Sequence, residues 1–241
     1  MTGFHLDVFP AERWADAVAA DLADRLREQP ALRLCLPTGS TPAPVYASLV
    51  RSTDPSLWSA ATIMLLDEYL GLPPGDPARG GDRLVRELVD HVHPARFVAI
   101  DADAADPEPA SRAHDAEAAR GLDLALLGLG LNGHVGLNEP GSDADAETRV
   151  VELTPTSREV AAGYGATGAP QRGVTLGLRR LLESREIWLL VTGERKAEIL
   201  GRTLLGPEGS DVPATFLRRH PNLRVIADEP AARLVAGGVL G

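Results

Sequence analysis

The chain has 241 residues, of which 44% are hydrophobic, and its formal net charge is −10. That length and apolar content predict a full hydrophobic core in a single domain over residues 1–241, and they exclude a disordered chain. The negative charge argues against nucleic-acid binding, because phosphate backbones require clustered lysine and arginine, and no apolar run approaches the ~18 residues of a membrane span.

Short apolar segments typical of strands alternate with longer helical patterns along the chain. Strands are expected at residues 32–36, 63–66, 97–100, 122–127, 149–153, 187–191 and 223–227. Helices are expected at residues 11–27, 42–50, 84–91, 109–120, 195–205, 213–220 and 230–239. Because most of these strands are apolar throughout, they indicate an α/β protein with a Rossmann-like three-layer fold, in which helices cover both faces of a mostly parallel central sheet.

Two features of the chain predict a cytoplasmic protein. Residues 1–10 have neither the basic start nor the long apolar core of a signal peptide. The single cysteine, Cys35, lies within an apolar segment and is expected to be a buried strand residue in a reducing compartment.

In open α/β sheets ligands bind beyond the carboxyl ends of the strands. The segment that follows the strand at 32–36 consists of small and polar residues. Thr38, Gly39, Ser40 and Thr41 precede Pro42, and Thr41 is expected to cap the helix that follows. Free backbone N–H groups and hydroxyls at a helix start favour an anion site, above all for phosphate. The alternative is an ordinary capped turn.

The next strand ends in two carboxylates, Asp67 and Glu68. Burial at a strand end raises the pKa of a carboxyl group and makes it a better base. Neighbouring side chains on a strand point to opposite faces, so the two residues are expected to have different roles. The alternative is structural, with Glu68 paired to an arginine and Asp67 capping a turn.

The loop at residues 128–142 contains five glycines, one imidazole and one carboxylate. Its Gly128-x-Gly130-x-x-Gly133 pattern matches the dinucleotide fingerprint, but Pro140 interrupts the helix that this fingerprint must open. His134 and Glu139 fit another arrangement, in which a carboxylate orients an imidazole that moves protons.

Lys196 follows the strand at 187–191 and is expected to reach the same edge of the sheet, where its ammonium group can meet a phosphate. The alternative is a solvated lysine on a helix surface. The remaining histidines have no ligand spacing, so no metal site is expected.

Taken together, these segments resemble the glucosamine-6-phosphate deaminase (isomerase) family, whose fold is shared with 6-phosphogluconolactonases. The resemblance rests on LPTGSTP at 36–42, LDEYLGL at 66–72, NGHVGLNEP at 132–140 and GERKA at 193–197, and it continues in order to residues 228–229.

The resemblance implies roles for particular residues. His134, held by Glu139, would open the sugar ring, and Asp67 would move a proton from C2 to C1, after which water releases ammonia and fructose 6-phosphate without a cofactor. Asn132 would orient the histidine. Substrate and phosphate contacts are expected from Thr38, Gly39, Ser40, Thr41, Glu68, Gly133 and Lys196.

Two positions depart from the family pattern. Gly163 stands near the place where the family usually has a phosphate-binding arginine, and residues 78–81 lack the usual serine and tyrosine. Arg79, Arg158 and Arg172 are the candidate replacements. Two alternatives to a deaminase stay open. One is a lactonase, which the Asn138-Glu139-Pro140 segment disfavours, and the other is a non-catalytic sugar-phosphate sensor.

Overall fold

The structure, a computed structural model, describes residues 3–235. Its strands are β1 (Phe4–Phe9), β2 (Arg33–Leu36), β3 (Thr62–Leu65), β4 (Asp67–Tyr69), β5 (Arg96–Val98), β6 (Leu124–Gly128), β7 (Arg149–Glu152), β8 (Arg172–Thr175), β9 (Glu186–Val191) and β10 (Leu223–Asp228). Its α-helices are α1 (Ala11–Glu28), α2 (Ala43–Ser52), α3 (Gly80–Leu84), α4 (Asp90–Val92), α5 (Pro107–Ala118), α6 (Pro155–Gly163), α7 (Leu178–Leu182), α8 (Ala197–Leu205) and α9 (Glu229–Ala232).

The central sheet has seven strands in the order β1-β10-β9-β6-β2-β3-β5, and every neighbouring pair is parallel. Alternate strand residues face two separate apolar layers. Cys35 and Met64 pack into one layer with α8, whereas Leu34 and Ile63 pack into the other with α1 and α2. This arrangement confirms the predicted three-layer α/β fold, and Cys35 is fully buried as expected.

A second, antiparallel sheet in the order β4-β8-β7 was not predicted. The strand expected at 149–153 is β7 of this small sheet and does not belong to the central one. β8 was missed because it is only four residues long and contains a glycine. β1 was missed because it is a half-exposed edge strand without a continuous apolar run.

Several helices differ from their predicted bounds. Thr41 does not cap α2, whose N-cap is Pro42 without a side-chain hydrogen bond. The helix expected at 84–91 is the end of a run that starts at Gly80 and includes a π-helical segment, Val85–Val89. Residues 213–219 form a 3₁₀ helix.

The last predicted helix, 230–239, is short within the described part of the chain, since α9 ends at Ala232; residues 236–239 lie outside the described residues. α6 and α7 were not predicted. Between residues 3 and 235 no helix is both long and apolar enough to span a membrane.

Candidate active site

The segments that follow β2, β3, β6 and β9 surround a cavity of about 580 Å³, and α6 adds a further wall. A volume of this size suits a small-molecule site. The predicted residues that line it are Thr38, Gly39, Ser40, Thr41, Asp67, His134 and Lys196. Strand ends that are far apart in the sequence therefore meet at one edge of the sheet, as the parallel topology requires.

The loop after β2 approaches the cavity with its backbone. Gly39 has a φ of +127°, and a Cβ atom at this position would lie 2.8 Å from the Tyr164 hydroxyl oxygen. The Ser40 N–H donates a long hydrogen bond, 3.4 Å, to that same oxygen. Only glycine allows this turn beside Tyr164, and the turn brings Thr38, Ser40 and Thr41 to the cavity wall.

Asp67 begins β4 and is partly exposed at the cavity wall. Burial, and then the charge of the neighbouring Glu68, raise the pKa of Asp67 to about 7. A carboxyl group with this pKa is a base suited to neutral pH, because about half of it is ionised at pH 7 and the ionised form accepts a proton readily.

Glu68 does not line the cavity, and its expected role as a substrate contact stays a prediction that its hydrogen bonds do not support. Its side chain is buried on the opposite side of β4, where it accepts hydrogen bonds from the backbone N–H groups of Tyr69, Gly80 and Gly81 at 2.7–2.8 Å. The residue anchors the start of α3 to β4. The prediction that the two carboxylates have different roles therefore agrees with their placement.

His134 and Glu139 form a pair, and His134 lines the same cavity as Asp67. His134 Nδ1 lies 3.4 Å from Glu139 Oε2, and the His134 side chain is 17% exposed toward the cavity. Asn132 links the two residues, because its amide nitrogen donates to Glu139 Oε2 at 3.0 Å and its oxygen accepts from the His134 backbone N–H. The orienting role expected for Asn132 fits this geometry.

Glu139 also accepts hydrogen bonds from α6, and these contacts were missed by the sequence analysis. Thr154, which caps α6, donates to Oε1 at 3.1 Å, and the Ser157 hydroxyl donates to the same oxygen. Burial alone would raise the pKa of Glu139, but the facing His134 and the hydrogen bonds from Ser157 and Asn132 lower it to about 2. Glu139 is therefore a permanent carboxylate beside the imidazole.

Gly133 does not line the cavity either, and its expected role as a substrate contact stays a prediction. Its N–H donates to the Gly130 carbonyl and its carbonyl accepts from Ala214, so both backbone groups are used within the fold. Residues 131–146 form turns rather than a helix. The dinucleotide fingerprint therefore lacks the helix that it requires.

Lys196 closes the 3₁₀ segment Glu194–Lys196 after β9, and its ammonium group donates to the Leu129 carbonyl at 2.5 Å. Burial, and then the charge of Arg195, lower the pKa of Lys196 to about 8. The three arginines considered as replacements for the missing cation, Arg79, Arg158 and Arg172, do not line the cavity.

A family model described as "Glucosamine-6-phosphate isomerases/6-phosphogluconolactonase" matches residues 10–226. A glucosamine-6-phosphate deaminase of Rhodopirellula baltica is 38% identical over 242 residues, covering 95% of each chain. A protein of the same name from Streptomyces coelicolor is 37% identical, covering 92% of this chain and 88% of that one.

Solved structures agree with this match. A structure described as a monomeric glucosamine-6-phosphate deaminase superposes with a TM-score of 0.90 at 31% identity, covering 96% of this chain and 100% of the other. The 6-phosphogluconolactonase of Trypanosoma brucei has a TM-score of 0.80 at 19% identity, covering 97% and 99% of the two chains, and shows a shared fold. The chain belongs to the glucosamine-6-phosphate isomerase/6-phosphogluconolactonase family.

Proposed function

We propose that the protein is an amino-sugar-phosphate deaminase that converts glucosamine 6-phosphate, or a close analogue, into fructose 6-phosphate and ammonia. The observation that carries the proposal is the meeting of a neutral-pH base, Asp67, with His134 in one cavity, where Glu139 faces the imidazole from behind the cavity wall. The names and identities of the relatives support the same activity.

Ring opening is assigned to His134. Its imidazole takes the proton of the C1 hydroxyl and gives a proton to the ring oxygen, so the cyclic sugar becomes an aldehyde. Glu139 remains a carboxylate, which holds the ring and stabilises the imidazolium form. Asn132, Thr154 and Ser157 fix Glu139 in turn.

Isomerisation is assigned to Asp67. The carboxylate removes the proton from C2 and returns it to C1, while the amine gives up one proton and the C1 oxygen gains one, which converts the 2-amino aldehyde into a 2-imino ketose. Water adds to the imine carbon and ammonia leaves. The sequence consists of proton transfers and one hydrolysis, so its electrons balance without a redox cofactor.

The phosphate is assigned to the loop at 38–41 together with Lys196. Backbone N–H groups and hydroxyls supply neutral donors, and the ammonium group supplies charge.

We also propose that residues 1–241 form one domain, which the single central sheet supports. We propose that the protein lies in the cytoplasm, where the lone buried Cys35 stays reduced.

The decisive experiment measures ammonia and fructose 6-phosphate released from glucosamine 6-phosphate by the purified protein, beside hydrolysis of 6-phosphogluconolactone. We expect release of both deamination products in equal amounts and no lactone hydrolysis above background. Lactone hydrolysis without deamination would make the protein a lactonase. Binding of hexose phosphates without turnover of either substrate would make it a sensor.

The pKa values of Asp67 and Lys196 predict a narrow pH optimum. The base must be ionised, so kcat/KM rises as the pH passes about 7; the ammonium group must be protonated, so kcat/KM falls as the pH passes about 8. A pH profile of kcat/KM between pH 5 and 10 checks both limbs. Lys196→Arg removes a titrating group, since arginine stays charged, and should flatten only the alkaline limb. An unchanged alkaline limb would assign that limb to another group.

Gly130 is predicted to control the position of the His134 ring. A Cβ atom on Gly130 would lie 2.5 Å from three ring carbons of His134, so Gly130→Ala must push the imidazole away. Since a shift of ~1 Å costs about 100-fold in rate, we expect kcat to fall by about that factor. Gly209→Ala, where a Cβ atom meets nothing within 4 Å, is the matched control. Wild-type kcat in Gly130→Ala would show that the ring position does not limit turnover.

A further inference from the structure

The cavity is short of positive charge for a phosphate dianion. Of the described residues that line it, only Arg195 and Lys196 carry a positively charged side chain. They are neighbours in the 3₁₀ segment after β9. Their position matters in a chain of net charge −10, because an anionic ligand needs a local concentration of cations.

Neither cation is neutralised by a carboxylate in the described structure. Lys196 donates to the Leu129 carbonyl, which carries no net charge. Arg195 is exposed and forms no ion pair within residues 3–235, while the adjacent Glu194 pairs with Arg233 at 3.4 Å. The two cations are close enough for the charge of Arg195 to lower the pKa of Lys196. An anion between them would relieve this repulsion.

The other candidate arginines do not line the cavity. Arg79 is buried and forms a two-pronged pair with Asp103 at 2.9 and 3.1 Å. Arg158 donates to the side-chain oxygen of Gln171 at 3.1 Å and lies outside the cavity wall. Arg172 also lies outside that wall. None of these three side chains is therefore placed to contact a phosphate in the cavity.

We propose that Arg195 supplies the second cation for the substrate's phosphate, beside Lys196, and thereby makes the site selective for phosphorylated over unphosphorylated amino sugars. This inference rests on the proposed function for the identity of the sugar. A guanidinium group offers two parallel N–H donors to two phosphate oxygens, a geometry that the ammonium group of Lys196 does not provide. Exposure at the cavity wall leaves these donors open to an incoming anion.

The kinetic test compares Arg195→Gln, Arg195→Lys and wild type, with Arg158→Gln as the matched control. For Arg195→Gln we expect KM for glucosamine 6-phosphate to rise about 10-fold or more, as for loss of a charge-assisted hydrogen bond, with kcat within about twofold. Arg195→Lys should recover part of the loss, and Arg158→Gln should match wild type. With unphosphorylated glucosamine, kcat/KM of Arg195→Gln should be unchanged. An unchanged KM for the phosphorylated sugar, or an equal loss with both sugars, would overturn the inference.

A binding measurement separates this inference from the proposed function. Titration calorimetry with inorganic phosphate needs no turnover, and we expect at least about 10-fold weaker binding to Arg195→Gln than to wild type or Arg158→Gln. If the wild type fails to deaminate but shows this difference, the proposed function fails and the role of Arg195 stands. If the wild type deaminates and phosphate binds Arg195→Gln as tightly, the role of Arg195 fails alone. Absence of both turnover and phosphate binding would reject both.

Discussion

Replacing Asp67 by asparagine should reduce kcat for ammonia release by about 100- to 10,000-fold, the contribution typical of a positioned base, while leaving the protein folded. The amide has nearly the same shape as the carboxylate but cannot accept the C2 proton. Ammonia release under saturating glucosamine 6-phosphate measures the loss. Retention of more than a tenth of the wild-type rate would contradict the assignment of Asp67 as the base.

Thermal unfolding supplies the second readout for the same variant. The folded-state pKa of Asp67, about 7, lies above its unfolded value near 3.8. The native state therefore binds the proton more tightly, and Asp67 lowers the stability as the pH rises from about 4 to about 7. Asp67→Asn lacks this penalty, so at pH 8 its Tm should equal or exceed that of the wild type. A protein that loses activity while gaining stability has lost a catalytic group rather than its fold.

Glu68→Gln is the matched control and should give the opposite pattern. The Glu68 carboxylate accepts three backbone N–H groups and does not reach the cavity. An amide nitrogen would face one of those donors, so a loss of about 1–3 kcal/mol in unfolding free energy is expected. Because this cost falls on the hydrogen bonds that anchor α3, Tm should fall clearly, whereas kcat should change little. The two variants together test whether Asp67 acts in the chemistry while its neighbour Glu68 stabilises the fold.

The central sheet could be predicted from the sequence because its inner strands are apolar throughout. β2 and β9 lie within one residue of the predicted 32–36 and 187–191, since strands buried on both faces carry a continuous signal. β1 could not be found in this way. It lies at the edge of the sheet and exposes part of both faces, so its apolar residues are interrupted.

The part of the site that could be predicted consists of polar residues that directly follow apolar strands. His134, Asp67 and the loop at 38–41 met in one cavity because a parallel sheet gathers its carboxyl ends. Ser157 could not be assigned, because its contact with Glu139 depends on how α6 packs. The alternation of side chains along a strand predicted that Asp67 and Glu68 point to opposite faces of β4. Which of the two side chains enters the cavity is set by the pairing of β4 with β8.

His134→Ala should lower the steady-state rate of deamination by about 100- to 10,000-fold, and the time course should reveal which step is lost. If His134 opens the ring, the variant still processes the small open-chain fraction of the substrate, because Asp67 is intact. We therefore expect a rapid burst of ammonia followed by a slow phase. Stopped-flow measurement at high enzyme concentration detects both phases.

The slow phase distinguishes a ring-opening role from a general loss of the site. Spontaneous opening in solution would limit it, so its rate should not depend on the concentration of His134→Ala, whereas Asp67→Asn should show no burst. His91→Ala, which alters an exposed histidine of α4, is the matched control and should keep wild-type kinetics. A slow phase that scales with enzyme concentration and follows no burst would place His134 in the isomerisation step. Glu139, which faces the imidazole at 3.4 Å, would then tune a proton donor to the open-chain sugar.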